Sequence, residues 1–140
     1  MPSEFSALRQ PSPGAAPRDI LVVEDEAAFR DLLSRYLELA GYTVMAAPDG
    51  RTALKLLAAH GARLLVTDLF MPDTDGIELL TQLRRVQPGL PIVVMSGSAG
   101  FDLTMFLRMA QHLGARHTLT KPFPLSDLRA AVEAELGPPR

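Results

Sequence analysis

Short, unbroken apolar runs alternate with helical apolar periodicity along most of this chain, and this alternation constrains the fold more than any other feature. The first run, ILVV at residues 20–23, is short and rich in β-branched residues. Such a run is typical of a strand that is covered on both faces, as in a parallel sheet. From Phe29 to Ala40, apolar residues recur at three- and four-residue spacing, which indicates one face of a helix.

The same strand–helix unit then repeats. Further strands are predicted at residues 42–47, 64–67, 91–95 and 116–120. Asp49, Asp75 and Ser126 stand where the N-caps of the second, third and fifth helices are expected. Five such units predict an open α/β sheet of parallel strands with helices on both faces. Ligands of such sheets bind at the carboxyl ends of the strands.

Composition excludes several classes of protein. The chain has 140 residues, a formal net charge of -2 and no cysteine. This length suits one domain, the charge argues against nucleic-acid binding by bulk electrostatics, and the lack of cysteine excludes disulfides and thiolate metal sites. No apolar run approaches the length of a membrane span. We therefore expect a cytoplasmic protein that binds neither DNA nor a membrane.

The two ends of the chain differ from the region between them. Residues 1–17 contain four prolines, no apolar periodicity and no continuous apolar segment of the kind found in a signal peptide. We expect these residues to form a flexible tail. Residues 138–140 follow the last helical pattern as a short C-terminal tail, so residues 18–137 are expected to form the one domain of the chain.

Polar side chains follow four of the predicted strands at the ends where ligands would bind. Glu24 and Asp25 follow the first strand, Asp68 the third, Ser96 the fourth and Lys121 the fifth. Clustered carboxylates repel one another, so a cation has to enter or one acid has to lose its charge. All-oxygen ligation of this kind suits Mg²⁺. A carboxylate nucleophile beside a metal, a lysine and a hydroxyl fits phosphoryl transfer through an acyl phosphate.

Each of these residues has an ordinary explanation when it is taken alone. A single acid after a strand is usually a helix cap or a solvated loop residue, and Asp73 and Asp75 fit that interpretation. Ser96 could be a turn residue, and a Lys-Pro pair is common. The hypothesis depends on the coincidence of four sites at strand ends within one strand–helix series.

Four stretches of the sequence resemble the receiver domains of two-component response regulators: ILVVEDE (20–26), VTDLFMPDTDG (66–76), VVMSG (93–97) and LTKPF (119–123). The resemblance implies a flavodoxin-like fold with five parallel strands in the order 2-1-3-4-5. It implies that Asp68 accepts a phosphoryl group from a histidine kinase or a histidine phosphotransfer protein. Since residues 18–137 leave no room for an output domain, we expect a stand-alone receiver. The output partner would be another protein.

The resemblance also implies the ligands of a Mg²⁺ ion. Asp25 and Asp68 would bind the ion directly, and Glu24 would bind it directly or through water. The backbone carbonyl of Phe70 would complete the protein ligands.

The remaining site residues would contact the phosphoryl group. Lys121 would pair with Asp68 and then with the phosphoryl group, and Ser96 would swing to bond a phosphoryl oxygen. The Lys121–Pro122 peptide bond is expected to be cis.

Two residues depart from the pattern of the family. Thr118 stands where a Tyr or Phe is usual and cannot fill the same space, so we predict that the usual aromatic switch is absent. Alternatively, Thr118 only packs, and the loop after the fourth strand carries the signal alone. His117 should point to the opposite face of the sheet. Phe70 cannot orient a hydrolytic water, so we predict slow self-dephosphorylation.

The segment between Ser96 and Lys121 is also longer than is usual, and residues 96–102, with Gly97 and Gly100, are expected to be mobile.

Several functions remain open at this stage. The chain could be a phosphorelay intermediate or a phosphate sink, or a scaffold that binds proteins without being phosphorylated. A Mg²⁺-dependent phosphatase is disfavoured, because such enzymes usually place a general acid where this chain has Phe70. We expect a phosphoacceptor signalling domain rather than an enzyme, one that assists its own phosphorylation and dephosphorylation.

Overall fold

Five strands and five helices alternate along the chain in a computed structural model that describes residues 16–69, 76–97, 103–112 and 114–139. The strands are β1 (Arg18–Val23), β2 (Val44–Ala47), β3 (Ala62–Asp68), β4 (Ile92–Gly97) and β5 (His117–Lys121). The helices are α1 (Ala27–Leu39), α2 (Gly50–His60), α3 (Gly76–Val86), α4 (Leu103–His112) and α5 (Leu125–Leu136).

The strands form one parallel sheet in the order β2-β1-β3-β4-β5. The chain reverses direction across the sheet after β2, so β1 and β3 lie side by side at the point where the strand order switches. This is the flavodoxin-like fold, and the predicted class and strand order are confirmed. Ligand sites of such sheets lie at the carboxyl ends of the strands next to that switch point.

Alternate residues of each strand enter two separate apolar layers. In β1, Leu21 and Val23 pack with buried residues of α2, α3 and α4, whereas Ile20 and Val22 pack with buried residues of α1 and α5. All four side chains are fully buried. Because side chains alternate across a strand, a run covered on both faces has to be apolar at every position, as the sequence is here.

The element boundaries show where local sequence signals hold and where they fail. The Asp49 side chain accepts a hydrogen bond from the Thr52 N–H at 2.8 Å, as expected of an N-cap. The prediction for Ser126 was wrong: α5 begins at Leu125, and its N-cap is Pro124, which makes no side-chain hydrogen bond. Asp127 N–H donates to the carbonyl of Pro124 at 2.9 Å, so Ser126 already lies within the first turn of the helix.

Some predictions fall outside the described residues: the Asp75 cap, the mobility of residues 98–102 and most of the N-terminal tail. No helix in the described part of the chain is both long and apolar enough to cross a bilayer.

Candidate functional site

The carboxyl ends of three strands bring acidic and basic side chains to one edge of the sheet. Glu24 directly follows β1, Asp68 ends β3 and Lys121 ends β5. Hydrogen bonds continue the sheet past the strand ends, because Glu24 N–H donates to the Ala47 carbonyl and Leu69 N–H donates to the Met95 carbonyl. The backbone beneath the carboxylates is therefore held by the sheet.

The Lys121 ammonium donates to both acids. Its Nζ lies 2.6 Å from Glu24 Oε1 and 2.9 Å from Asp68 Oδ2. The Lys121 side chain is 25% exposed, and those of Glu24 and Asp68 are 1% and 8% exposed. Since most of the pair is out of water, the lysine compensates buried negative charge that the fold would otherwise leave unpaired.

A third carboxylate lies beside this pair. Glu24, Asp25 and Asp68 each present one oxygen, and these oxygens lie within 4.8 Å of one another. Asp25 is exposed, whereas the other two acids are buried. Three carboxylates exceed the charge of one lysine, and hard divalent cations prefer such oxygen ligands. The donor set therefore fits a divalent metal ion on its solvent side.

Burial and pairing set the protonation of the buried residues. Desolvation raises the pKa of Glu24 above its usual range, and the Lys121 hydrogen bond only partly offsets that effect. Burial disfavours the Lys121 ammonium, but the bonds to Glu24 and Asp68 outweigh it and raise the pKa of the lysine. Lys121 therefore stays charged at neutral pH and keeps its attraction for an anion.

The loop that carries Glu24 and Asp25 is held by contacts that the sequence did not reveal. Glu26 N–H donates to Glu24 Oε2 at 3.1 Å. Arg30 Nη1 donates to the Glu24 carbonyl at 2.8 Å and to the Asp25 carbonyl at 3.5 Å. Arg30 lies one turn into α1, six residues after Glu24 and five after Asp25. That spacing is the feature of the sequence from which these contacts could have been predicted.

One aromatic ring that the sequence did not connect with the site borders the lysine, and a second ring packs against the first. Lys121 Nζ lies 4.8 Å from the centroid of the Phe29 ring. Phe29 in turn makes an edge contact with Phe123, with the ring centroids 6.0 Å apart at an interplanar angle of 62°. The Lys121–Pro122 peptide bond between these contacts is cis.

Ser96 lies on the strand next to that of Asp68. Asp68 pairs in register with Met95, and Ser96 is the next residue of β4. Ser96 is 1% exposed, and its hydroxyl donates to the Gly97 carbonyl at 3.0 Å. The hydroxyl is thus held at the carboxyl end of the sheet by a bond to Gly97, the last residue of β4.

Thr118 and His117 lie on β5 away from the acids. Thr118 pairs with Val94 in the sheet and is half-buried. His117 Nε2 lies 2.9 Å from Glu135 Oε2 on α5, so its side chain is engaged by that helix. Both residues border a shallow groove of about 540 Å³ along β5 and α5. Phe70 lies outside the described residues, and so does its carbonyl.

Known families and curated proteins match most of the chain. A family model described as a response regulator receiver domain matches residues 20–133. The chain is 36% identical to the DNA-binding transcriptional regulator NtrC of Rhizobium meliloti and 39% identical to the response regulator MprA of Mycolicibacterium vanbaalenii. Each alignment covers 86% of this chain but only 24% of NtrC and 51% of MprA. The chain therefore spans from a quarter to half of the length of these relatives.

Solved structures agree with these matches. The receiver domain of NtrX from Brucella abortus superposes with a TM-score of 0.78 at 32% identity, covering 84% of this chain and 98% of that one. The chemotaxis protein CheY4 of Vibrio cholerae gives a TM-score of 0.76 at 27% identity, covering 86% of this chain and all of that one.

Proposed function

The chain belongs to the receiver domains of response regulators, and from that premise we propose that Asp68 accepts a phosphoryl group from a histidine kinase or a histidine phosphotransfer protein in a Mg²⁺-dependent reaction. One observation carries the proposal most strongly: Lys121 Nζ bonds at once to Asp68 and to Glu24 at the carboxyl end of the sheet. An acceptor carboxylate with a fixed cation beside it is what transfer of an anionic group requires.

Glu24, Asp25 and Asp68 would hold the metal ion, with the backbone carbonyl of Phe70 as a further ligand. The three carboxylates fit this role by their chemistry and by their spacing within 4.8 Å. When bound, Mg²⁺ would neutralise charge on the phosphoryl oxygens and orient them toward the acceptor. Because Lys121 donates to Glu24 Oε1, metal binding through that oxygen would compete with the hydrogen bond.

In the transfer step, an Asp68 carboxylate oxygen attacks the phosphorus of the phosphohistidine. A new O–P bond forms as the N–P bond breaks, and the imidazole nitrogen leaves with the electron pair and takes up a proton. The Lys121 ammonium then bonds a phosphoryl oxygen. The Ser96 hydroxyl bonds another phosphoryl oxygen after it leaves the Gly97 carbonyl, and so the phosphoryl group displaces the start of the loop after β4.

The signal would then pass to another protein through the surface around that loop. The chain supplies no aromatic side chain at Thr118, so we propose that displacement of the loop acts without the usual aromatic switch. In this account the chain is a phosphoacceptor rather than an enzyme. A stand-alone role, a cytoplasmic location and the lack of DNA binding stay predictions from the sequence, and the NtrC relative is itself named as a DNA-binding regulator.

Intact-mass measurement after incubation with phosphoramidate and Mg²⁺ tests the proposal. The wild-type chain should gain one phosphoryl group, and Asp68→Asn, which keeps the shape of the side chain, should gain none. Omission of Mg²⁺ should abolish the gain in the wild type. Equal labelling of the two proteins would rule out Asp68 as the acceptor.

A further inference from the structure

The face of the Phe29 ring closes a third side of the Lys121 ammonium. An ammonium has three N–H donors, and two of them are directed at Glu24 Oε1 and Asp68 Oδ2. The ring centroid lies 4.8 Å from Nζ itself, which is within the range of a cation–π interaction. The contact is therefore made by the charged end of the lysine.

The Phe29 ring is fixed from the far side by Phe123. That edge contact has centroids 6.0 Å apart and rings inclined at 62°, a favourable arrangement for two aromatic rings. Phe123 follows Lys121 and Pro122 in the chain, so the segment that carries the lysine also supports the ring that borders it. Both rings are half-buried, and both residues pack on the apolar layer between the sheet and α1 and α5.

An aromatic face can do at this position what a further carboxylate could not. Another acid would add charge to a cluster that already holds three carboxylates, and it would compete for the metal ion. The negative face of a neutral ring attracts the ammonium without binding a hard cation tightly and without repelling an incoming phosphoryl group at full charge.

We propose that Phe29 is a positioning residue whose ring face keeps the Lys121 ammonium beside Asp68. This inference rests on the proposed function, in which metal binding through Glu24 Oε1 would compete with the bond to Lys121. Where that bond is lost, the ammonium keeps its contacts with Asp68 and the ring, and these two contacts limit its movement. The ammonium is then already in position beside Asp68 when the phosphoryl group arrives.

Site-specific fluorination of the ring separates its electrostatics from its size. Phenylalanines that carry one, two and three fluorine atoms at position 29 weaken the negative face stepwise with little change in volume. Phosphorylation by phosphoramidate at fixed Mg²⁺ should slow at each step, by about two- to fivefold over the whole series if the contact has the strength usual for partly exposed sites. Far-UV circular dichroism spectra of the same variants are the control and should stay unchanged, so that a slower rate cannot be assigned to loss of folding.

A spectroscopic measurement reports the contact without any phosphorylation. The ε-methylene protons of Lys121 should show an upfield ring-current shift in the wild type and in Phe29→Tyr, and should lose it in Phe29→Leu. Phe29→Tyr should also keep the wild-type rate, whereas Phe29→Leu should be slower.

The outcomes separate the two proposals. A wild type that gains no phosphoryl group would remove the proposed function and, with it, this role of Phe29. A wild type that is phosphorylated, with a flat or rising rate along the position-29 series, would remove the role of Phe29 alone. Absence of the ring-current shift in the wild type would also overturn it.

Discussion

Lys121 holds two buried carboxylates with one ammonium at the end of the sheet. The shared bonds explain how three acids can meet in one place in a folded chain, because the lysine offsets part of their repulsion. The same arrangement keeps the ammonium within bonding distance of the proposed acceptor before any donor arrives.

Replacing Lys121 by methionine should therefore destabilise the metal-free protein. We expect a loss of about 2 kcal/mol in the free energy of unfolding, less than the ~3–5 kcal/mol of fully buried pairs, because Glu24 can take up a proton and the lysine is partly exposed. Urea denaturation in the presence of a chelator measures this. Lys55→Met, at an exposed lysine of α2, is the control; equal losses in the two variants would contradict the role assigned to Lys121.

Phe70 should make the phosphorylated state long-lived, because its side chain has no polar atom with which to orient an attacking water. In Phe70→Asn, an amide could do so, and the half-life of phospho-Asp68 should shorten by on the order of tenfold, below the ~10²–10⁴-fold that a positioned acid or base contributes. Loss of the phosphorylated species after removal of the donor, followed by intact mass, gives both half-lives. A wild-type half-life no longer than that of Phe70→Asn would refute the prediction.

At the scale of elements, capping chemistry was partly readable from the sequence. Asp49 was predicted to cap α2, and its carboxylate accepts the Thr52 N–H. That bond lowers the pKa of Asp49 below its ordinary value of 3.8. Because the pKa is lower in the folded state, the charged cap stabilises the protein at pH values above 3.8. This contribution is lost as the pH falls through the folded-state pKa.

Asp49→Ala should consequently cost about 1 kcal/mol at neutral pH and clearly less near about pH 3. Urea denaturation at the two pH values measures the difference. Asp49→Asn keeps an acceptor that does not titrate, so its stability relative to Asp49→Ala should not vary with pH. A penalty for Asp49→Ala that is the same at both pH values would show that the carboxylate does not act as a charged cap.

Contacts between elements were harder to predict than the elements themselves. Periodicity located each strand and helix, because an apolar face has to match the repeat of its element. It could not show that Arg30 would reach back to the carbonyls of the acidic loop, or that Phe29 would border Lys121. Those contacts depend on the angle at which α1 leaves the sheet, which local sequence does not encode.

At the scale of the whole molecule, the C-terminal segment closes against the loop between α1 and β2. The Tyr42 hydroxyl donates to the Gly137 carbonyl at 2.8 Å, across 95 positions of sequence. Gly41 has a φ of 111° and lies so close to Pro139 that an added Cβ would meet the proline ring. The residues predicted to form a short C-terminal tail thus include at least one that packs on the domain.

Gly41→Ala should destabilise the protein by about 1–2 kcal/mol, because the added Cβ forces a side chain into the left-handed region. That Cβ would also lie 2.8 Å from the Pro139 Cβ. Chemical denaturation measures the loss, and removal of residues 138–140 should reduce it. Gly89→Ala, where an added Cβ meets nothing within 4 Å, should have little effect. Equal effects at both glycines would contradict the close approach.

The family resemblance predicted the strand order. The rule that the carboxyl ends of parallel strands lie at one edge of the sheet predicted that the acids and Lys121 would lie close together. Strand order could not be read from periodicity, since β1, β3 and β4 are apolar on both faces and any neighbouring strand would satisfy them. Bonding of Lys121 to Glu24 as well as to Asp68 was not predicted, because side-chain distances depend on the final register of β1, β3 and β5.

The most direct test of the central claim is to identify the phosphorylated residue itself. Borohydride reduces an aspartyl phosphate to homoserine, so treatment of the phosphoramidate-labelled wild type, followed by peptide mass spectrometry, marks the acceptor covalently. If Asp68 is the acceptor, homoserine should appear at position 68 only. Conversion of Asp25 to homoserine would contradict this assignment. Labelled protein without conversion at Asp68 would contradict it as well.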